Sequence, residues 1–323
     1  MKKWKTAIVL FVFCAVCMTG CANEEHKEQS KDAGQEIDAA RPMSEGRTME
    51  NQSVGDDSAD ESLPENLIAA EEGVIHSDGM TLKERFAEPE GFSRVEDKAG
   101  SLSEFLREYP LKENGSPVLL YDGTEKKNQR AHAAVFALPL ENEDLQQCAD
   151  SIMRVYAEYF WESGQQERIA FHFVNGFYAE YTRWRDGERI QVNGNDVSWV
   201  RSADYDDSYE NLKSYLRYVF SYAGTLSMDA ETEPVSLDDL RVGDVFLKGG
   251  SPGHVALVVD LCENAQGERA FLLAQGYMPA QEFHVLKNPL HEDDPWYYTD
   301  EVGFPFKTPE YTFEEGSLRR PVY

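Results

Sequence analysis

The chain has 323 residues, with 31 Lys and Arg against 59 Asp and Glu, which gives a formal net charge of −28. Hydrophobic residues make up 41% of the chain and aromatic residues 12%, so there is enough apolar material for a core and a wholly disordered protein is excluded. The charge also argues against a nucleic-acid partner, because phosphate contacts require an excess of Lys and Arg that this chain lacks.

The N-terminus has the composition of an export signal. Three lysines, at positions 2, 3 and 5, precede an apolar run over 7–18 that is shorter than the ~20 residues of a membrane-spanning helix. Two small residues and then Cys21 follow this run. The pattern resembles the lipobox of bacterial lipoproteins, in which the cysteine carries the lipid and becomes the first residue of the mature chain. The resemblance predicts a signal peptide over 1–20, palmitate-type lipidation of Cys21, and an extracytoplasmic protein anchored to the cell membrane.

A change in composition divides the rest of the chain into two parts. Residues 22–72 contain fifteen acids, four basic residues and no aromatic residue. Such a segment cannot bury enough apolar surface to offset the entropy that it would lose on ordering. We therefore expect a disordered acidic linker over 21–85, followed by a single domain over 86–323.

The hydrophobic periodicity predicts helices first and then a run of strands. Helices are expected over 101–109, with a capping box at Ser101, over 144–161, and over 209–222, with Gly224 as the C-cap. Strands are expected over 118–121, 131–138, 169–174, 177–184, 189–192, 244–247, 254–262, 270–275 and 282–286. This order is typical of an α+β fold, here an antiparallel sheet with packed helices.

The segment 240–275 contains the residues best suited to catalysis. It holds a Gly-Asp-Val strand and then a Gly-His-Val motif, which places His254 at the start of a long apolar strand. Together with the helix 209–222, this order resembles the C-terminal half of papain-like cell-wall hydrolases of the CHAP and NlpC types. The resemblance implies that His254 is a general base and that a cysteine at the start of a preceding helix is the nucleophile. A polar residue on the next strand orients the imidazole in that family, and Gln275 matches this position.

Strand pairing gives a separate argument for placing His254 beside Gln275. A hairpin that pairs Cys262 with Arg269 places Ala256 opposite Gln275, with His254 two positions along on the same face. Diagonal neighbours in an antiparallel pair lie about 7–8 Å apart, a gap that Gln and His side chains can bridge. The sequence therefore predicts that the two residues lie side by side at the wall or floor of a cleft.

The sequence leaves the nucleophile open. When the helix 209–222 is matched to the family helix, the nucleophile position falls on Leu212, which has no nucleophilic atom. Cys148 is the alternative, because a helix N-terminus lowers the pKa of a thiol. However, Cys148 also lies on an apolar stripe, where cysteines are commonly structural. Cys262 is the weaker candidate, since eight residues of strand place it about 26 Å from His254.

Two further residues, His132 and Ser251, are assigned to the pocket. Ser251 lies in a Gly-Gly-Ser-Pro-Gly stretch, which we expect to be a turn between strands. A serine nucleophile is disfavoured there, because Pro252 has no N–H for an oxyanion hole. Downstream of Cys21, the two remaining cysteines allow at most one disulfide. No metal-ligand spacing occurs, so we expect neither a metal nor a cofactor.

Five segments carry a second resemblance: Gly115–Leu138, Asp144–Phe160, Phe220–Met228, Gly243–Asp260 and Leu272–Pro289. Through them the chain resembles, over about residues 91–318, a family of bacterial lipoproteins with the domain of unknown function numbered 4846. This resemblance implies no particular activity. Because the papain-like resemblance places Leu212 at the nucleophile position, we expect a papain-like domain that binds a cell-wall glycan or peptide without turnover. The alternative is a cysteine peptidase or amidase that acts on cell-wall peptides.

Overall fold

The computed structural model describes residues 73–323. The predicted signal peptide over 1–20, the lipidation site Cys21 and the linker up to residue 72 lie outside the described residues. Within residues 73–323, no helix is long and apolar enough to cross a membrane.

Six α-helices occur in this part of the chain: α1 Leu82–Arg85, α2 Leu102–Arg107, α3 Cys148–Glu162, α4 Tyr181–Arg185, α5 Tyr209–Phe220 and α6 Thr225–Ala230. The two longest, α3 and α5, are amphipathic, and each packs its apolar stripe into the main core. Ser101 and Ser208 cap α2 and α5, because each side-chain oxygen accepts the N–H of the residue three positions later. The capping residue predicted at Ser101 is therefore confirmed.

The strands in the described residues are β1 Phe92–Arg94, β2 His132–Val135, β3 Ala170–His172, β4 Tyr178–Glu180, β5 Glu188–Asn193, β6 Asp196–Arg201, β7 Thr232–Pro234, β8 Val245–Lys248, β9 His254–Asn264, β10 Arg269–Gln275, β11 His284–Leu286, β12 Tyr297–Tyr298, β13 Phe306–Lys307, β14 Thr312–Phe313 and β15 Leu318–Pro321. Nine of them form one sheet in the order β2-β11-β10-β9-β8-β15-β7, with β1 paired to β9 and β12 to β10. Their pairing is antiparallel throughout. The predicted α+β class with an antiparallel sheet and packed helices is confirmed.

The central strands β9 and β10 are buried on both faces of the sheet. Val255 and Leu257 pack into the cluster that contains α3 and α5, whereas Ala256 and Val258 pack into a second cluster on the other face. A strand that is covered on both faces is apolar at nearly every position. This explains the continuous apolar run that opens at His254.

The hairpin of β9 and β10 changes register at a β-bulge. Near the turn, Ala270 faces Cys262, so the predicted pair of Cys262 with Arg269 is wrong. Leu272 then faces Asp260 but Leu273 faces Val258, so Val259 is the extra residue of the bulge.

Beyond the bulge, the pairing returns to the register that the sequence predicted. Ala274 faces Leu257, so the next position along β10, Gln275, comes opposite Ala256. This places Gln275 and His254 on the same face of the sheet. The bulge therefore brings the two side chains together, although the register at the turn would have separated them.

A buried carboxylate lies directly after the bulge. Asp260 is fully buried, and its two oxygens accept hydrogen bonds from Arg94 Nε at 2.8 Å and Arg107 Nε at 2.6 Å. Its Oδ1 also accepts the N–H of Leu261 at 2.8 Å, while Arg107 donates to the Leu261 carbonyl at 3.0 Å. Asp260, which directly follows the bulge residue Val259, is thus tied to two arginines and to the backbone of Leu261.

The fold begins earlier in the chain than the predicted boundary at residue 85. Ile75 pairs with Phe86 in an isolated bridge, and Leu82 is fully buried. Arg85 is also buried, and it donates to the backbone carbonyls of Gly79 and Lys112. These contacts make residues 75–86 part of the domain.

Other differences concern short elements. The predicted strand 118–121 forms only isolated bridges, and the predicted strand 177–184 is divided between β4 and α4. The chain turns into a helix there because Tyr181 and Trp184, three positions apart, are both buried. Gly224 is not the C-cap of α5; it precedes α6 as the N-cap.

Candidate active site

Helix α3 begins at Cys148, four residues later than predicted. Asp144 is not part of the helix, because its Oδ1 accepts the N–H of Ala280 at 2.7 Å and the side-chain amide of Gln147 at 3.1 Å. Gln147 is the N-cap, and its own N–H donates to the Asp150 carboxylate at 3.0 Å. Cys148 therefore occupies the first helical position, where backbone N–H groups have no partner within the helix.

The first turn of α3 lies directly against the end of β10. A Cβ atom added to Gly276 would lie 2.2 Å from Ser151 Oγ and 3.0 Å from the Gln147 carbonyl oxygen. A side chain at residue 276 would therefore push the helix away from the sheet. The same helix packs on β9, whereas α5 packs on α4. Leu212, where the papain-like resemblance placed the nucleophile, is a fully buried core residue of α5.

Some groups around the Cys148 sulfur stabilise its thiolate form, and others disfavour that form. Backbone N–H groups of Cys148, Ala149 and Val255 face the sulfur and favour the thiolate. Burial outweighs them and, with the nearby Asp150 carboxyl, raises the pKa of the thiol to about 11. Asp150 is itself affected, since burial raises its pKa to about 8. Val255 directly follows His254, so the sulfur lies at the start of β9.

His254 is held by an amide on one side and by aromatic rings on the others. Its Nε2 lies 2.7 Å from Gln275 Oε1. The rings of Tyr277 and Tyr311 each have their centroid 4.7 Å from the imidazole centroid, and Phe313 packs at 5.9 Å. His254 is only 2% exposed, and this burial lowers its pKa to about 4. The structure therefore places His254 and Gln275 in direct contact at the inner end of the hairpin.

Cys148 and His254 line one open cavity of about 720 Å³, together with Thr225, Tyr277 and Tyr311. The charged residues in its lining are carboxylates only, and Lys and Arg are absent from it. Three apolar side chains of the lining are more than half exposed to solvent: Val174, Leu226 and Met278. The cavity thus combines a buried floor that carries a thiol and an imidazole with an apolar rim, and its lining offers no Lys or Arg to bind an anion.

The two predicted pocket residues have different positions. Ser251 lines the cavity, in the turn that precedes β9, as expected. His132 does not line it: this residue lies on β2, where its Nε2 contacts the Ser116 carbonyl at 3.1 Å and its ring packs edge-on against His284. His132 is therefore a partly buried strand residue, and the prediction that it lines the pocket is corrected.

Both cysteines of the described region are free thiols. Cys262 lies in the core between the bulge and the hairpin turn, where burial raises the pKa of its thiol to about 12. Cys148 alone is partly exposed and lines the cavity. In residues 73–323 no group of three or more His, Cys, Asp or Glu side chains is arranged to hold a metal ion.

Sequence reasoning missed several residues of the site. Tyr277 and Tyr311 enclose the imidazole, and Lys126 and Glu310 lie behind Gln275. None of them belongs to a motif, and Glu310 reaches the site from a turn near the C-terminus. The only available signal was the Gln-Gly-Tyr sequence after β10, where the glycine marks a close approach to another backbone.

These features define an α+β domain with a thiol and an imidazole at one cavity and an amide bound to the imidazole. The family model for a domain of unknown function, the one numbered 4846, matches residues 82–320. The match covers well over half of the chain, and the chain belongs to this family. No curated protein and no solved structure matches the chain.

Proposed function

We propose that this protein is a cysteine hydrolase that cleaves amide bonds in peptides of the cell envelope. One observation carries the proposal: Cys148, at the first position of a helix, lines the same cavity as His254, whose ring is bound by Gln275. A thiol at a helix N-terminus, an imidazole and an orienting amide are the groups that a cysteine hydrolase requires. Among the two functions expected from the sequence, this geometry favours the catalytic one.

The protonation states follow from the hydrogen bond of His254. Gln275 Oε1 is an acceptor only, so the imidazole nitrogen that it faces, Nε2, carries the proton. The other nitrogen, Nδ1, is then unprotonated in the neutral ring and can accept the proton of the Cys148 thiol. Gln275 stabilises the imidazolium that forms.

The reaction then takes two half-steps. The thiol proton passes to His254 Nδ1 while Sγ of Cys148 attacks the substrate carbonyl carbon, and the tetrahedral intermediate collapses to a thioester as the imidazolium protonates the leaving amine. Water next attacks the thioester and gives its proton to Nδ1; the carboxylic acid leaves, and the thiol regains its proton. The first-turn N–H groups of Cys148 and Ala149 support negative charge beside the sulfur.

The lining of the cavity supports an uncharged peptide bond as the target. The absence of Lys and Arg from the lining leaves an anionic group near the reacting atoms without a cationic partner. The exposed apolar side chains of Val174, Leu226 and Met278 are suited to contact an apolar side chain of the substrate. The resemblance of the N-terminus to a lipobox predicts that such a hydrolase is anchored to the membrane outside the cytoplasm, where cell-wall peptides are accessible.

A binding protein without turnover is the second candidate, and the resting protonation states favour it. Burial raises the pKa of Cys148 to about 11 and lowers the pKa of His254 to about 4, so both groups are uncharged near neutral pH. A resting thiolate–imidazolium pair is then absent, and the thiol would have to lose its proton to His254 in the same step in which the sulfur attacks the substrate carbonyl. A protein that lacks this step would use the same cavity only to bind.

Hydrolysis of a defined peptide mixture separates these two functions. The protein is incubated with soluble cell-wall peptides in ¹⁸O-labelled water, and the products are analysed by mass spectrometry. We expect new carboxyl groups that contain ¹⁸O, and no products from the variant Cys148→Ala. The variant Cys262→Ala is the matched control and should keep full activity. Peptides bound but unchanged by all three proteins would support binding without turnover and overturn the proposal.

A further inference from the structure

A buried polar network lies behind Gln275, on the side away from the cavity. Gln275 Nε2 donates to Glu310 Oε2 at 2.9 Å. The same carboxylate forms an ion pair with Lys126, and its Oε1 accepts from Asn128 Nδ2 at 3.1 Å. Glu310 lies in the turn between β13 and β14, about 35 residues after β10 in the chain, so only the fold brings it to Gln275.

His284 completes the network and has a single possible tautomer in it. Its Nδ1 lies 2.8 Å from the backbone carbonyl of Glu282, so this nitrogen carries the proton. Its Nε2 is then an acceptor, and it lies 3.3 Å from Lys126 Nζ and 3.5 Å from Gln275 Nε2. Lys126 Nζ and the NH₂ group of Gln275 therefore face the same two acceptors, the Glu310 carboxylate and His284 Nε2.

These contacts determine which way the amide of Gln275 points. A carboxylate paired with Lys126 has no proton, so Glu310 can only accept, and the NH₂ group of Gln275 must face it. The carbonyl oxygen of Gln275 must then face His254. If the amide were turned over, its NH₂ group would meet Nε2, and the imidazole would carry its proton on Nδ1 instead.

We infer that Glu310 is a positioning residue that fixes the tautomer of His254. Paired with Lys126, it holds the amide of Gln275 in one orientation, and this orientation leaves Nδ1 of His254 as the nitrogen that accepts a proton. The link to catalysis rests on the proposed function, but the tautomer itself is a property of the free protein. Glu310 touches neither the imidazole by a hydrogen bond nor the cavity, so it acts through Gln275.

The test combines two neutral substitutions so that no buried charge loses its partner. In Lys126→Met with Glu310→Met, the NH₂ group of Gln275 loses its carboxylate acceptor, and only the longer 3.5 Å contact with His284 Nε2 is left to orient the amide. The ¹⁵N chemical shifts of His254, assigned with the variant His254→Asn, report which ring nitrogen carries the proton. We expect Nε2–H alone in the wild type and a substantial fraction of Nδ1–H in the double variant. The variant Glu301→Met, which removes a more exposed partner of His291, is the matched control and should leave the tautomer unchanged.

A second pair of substitutions keeps the test usable if the methionine pair does not fold. Lys126→Met with Glu310→Gln is close in size to the wild type and also allows both orientations, so a mixture of tautomers is again expected. The single variant Glu310→Gln, next to Lys126, should instead restore the wild-type tautomer, because Lys126 holds the amide oxygen of residue 310 towards the network.

The outcomes separate this inference from the proposed function. A folded double variant that keeps Nε2–H alone would overturn the role of Glu310. A mixture of tautomers in that variant, in a protein that hydrolyses no peptide, would support the role of Glu310 and contradict only the proposed function. Where hydrolysis is found, kcat/KM should fall about 10- to 100-fold in the double variant and recover in Glu310→Gln.

Discussion

The two ends of the β9–β10 hairpin each bury polar side chains, but they differ in how completely those side chains are paired. At the outer end, Asp260 is enclosed, and both of its oxygens accept hydrogen bonds from arginines. At the inner end, the polar chain from Lys126 to His254 terminates at an open cavity beside a thiol. The closed cluster lies directly after the β-bulge, whereas the open one ends at the cavity that the proposed function uses.

The largest effect is expected from the open end. Under the proposed function, replacing Cys148 with Ala should reduce peptide hydrolysis at least about 1,000-fold, because the variant lacks the proposed nucleophile. The free energy of unfolding should change by less than ~1 kcal/mol, since Cys148 is partly exposed. Steady-state kinetics and urea unfolding of the same sample measure the two effects. Cys262→Ala should show the opposite pattern, with full activity and a loss of about 1–2 kcal/mol from a buried site. A loss of activity in both variants would remove the distinction between the two thiols.

A large loss of stability is expected from the closed end. Replacing Asp260 with Ala leaves Arg94 and Arg107 without their buried partner, and breaking a buried ion pair typically costs about 3–5 kcal/mol. Urea unfolding measures this loss, with Asp260→Asn as a control that keeps the shape and the acceptor for the Leu261 N–H. An unfolding free energy within ~1 kcal/mol of the wild type would show that the arginines do not stabilise the bulge.

This comparison also shows which parts of the molecule the sequence could predict. The α+β class and the strands around His254 follow from apolar periodicity and turn residues. The bulge at Val259 does not, because a strand buried on both faces has no alternation from which a change of register could be read. The contact of His254 with Gln275 was predicted with a single register along the whole hairpin. In the structure the hairpin has two registers, one on each side of the bulge, and the contact forms in the inner one.

The remaining parts of the site depend on contacts between distant segments. Helix α3 was predicted to begin at Asp144, but the bond from Ala280 N–H to its carboxylate removes this residue from the helix, and no local pattern indicates that bond. Lys126 and Glu310 lie far apart in the sequence and form their ion pair only after folding. Local propensity carries no information about such pairs, so the residues that orient Gln275 were not found.

Acid is expected to destabilise the inner end in particular. His254 has a pKa of about 4 in the folded protein, below the usual 6.5, so the unfolded chain binds more protons between these values. The contribution of neutral His254 to the free energy of unfolding is complete above about pH 6.5. It is lost as the pH falls to about 4, by roughly 3 kcal/mol in total. Unfolding curves of the wild type and of His254→Asn between pH 4 and 7 isolate this contribution. Parallel pH dependences in the two proteins would show that the imidazole is not buried in its neutral form.

The smallest effect is expected where α3 meets β10. Gly276→Ala places a methyl group against Ser151 Oγ and should cost about 1–2 kcal/mol in unfolding free energy. Because the shift moves the first turn of α3, hydrolysis should also fall, by about tenfold. Adding Ser151→Gly, which removes the clashing side chain, should restore most of both quantities. No recovery in the double variant would show that this contact does not position Cys148.

The assignment of Cys148 and His254 as nucleophile and base can be tested without knowing the substrate. The measurement is the rate at which iodoacetamide alkylates each thiol at pH 7, followed by mass spectrometry in the wild type and in His254→Ala, with Cys262 as the internal reference. We expect Cys148 to react at least about 100-fold faster than the buried Cys262 and to slow about tenfold or more when the imidazole that accepts its proton is removed. Equal rates at Cys148 in the two proteins would contradict the pairing of this thiol with His254.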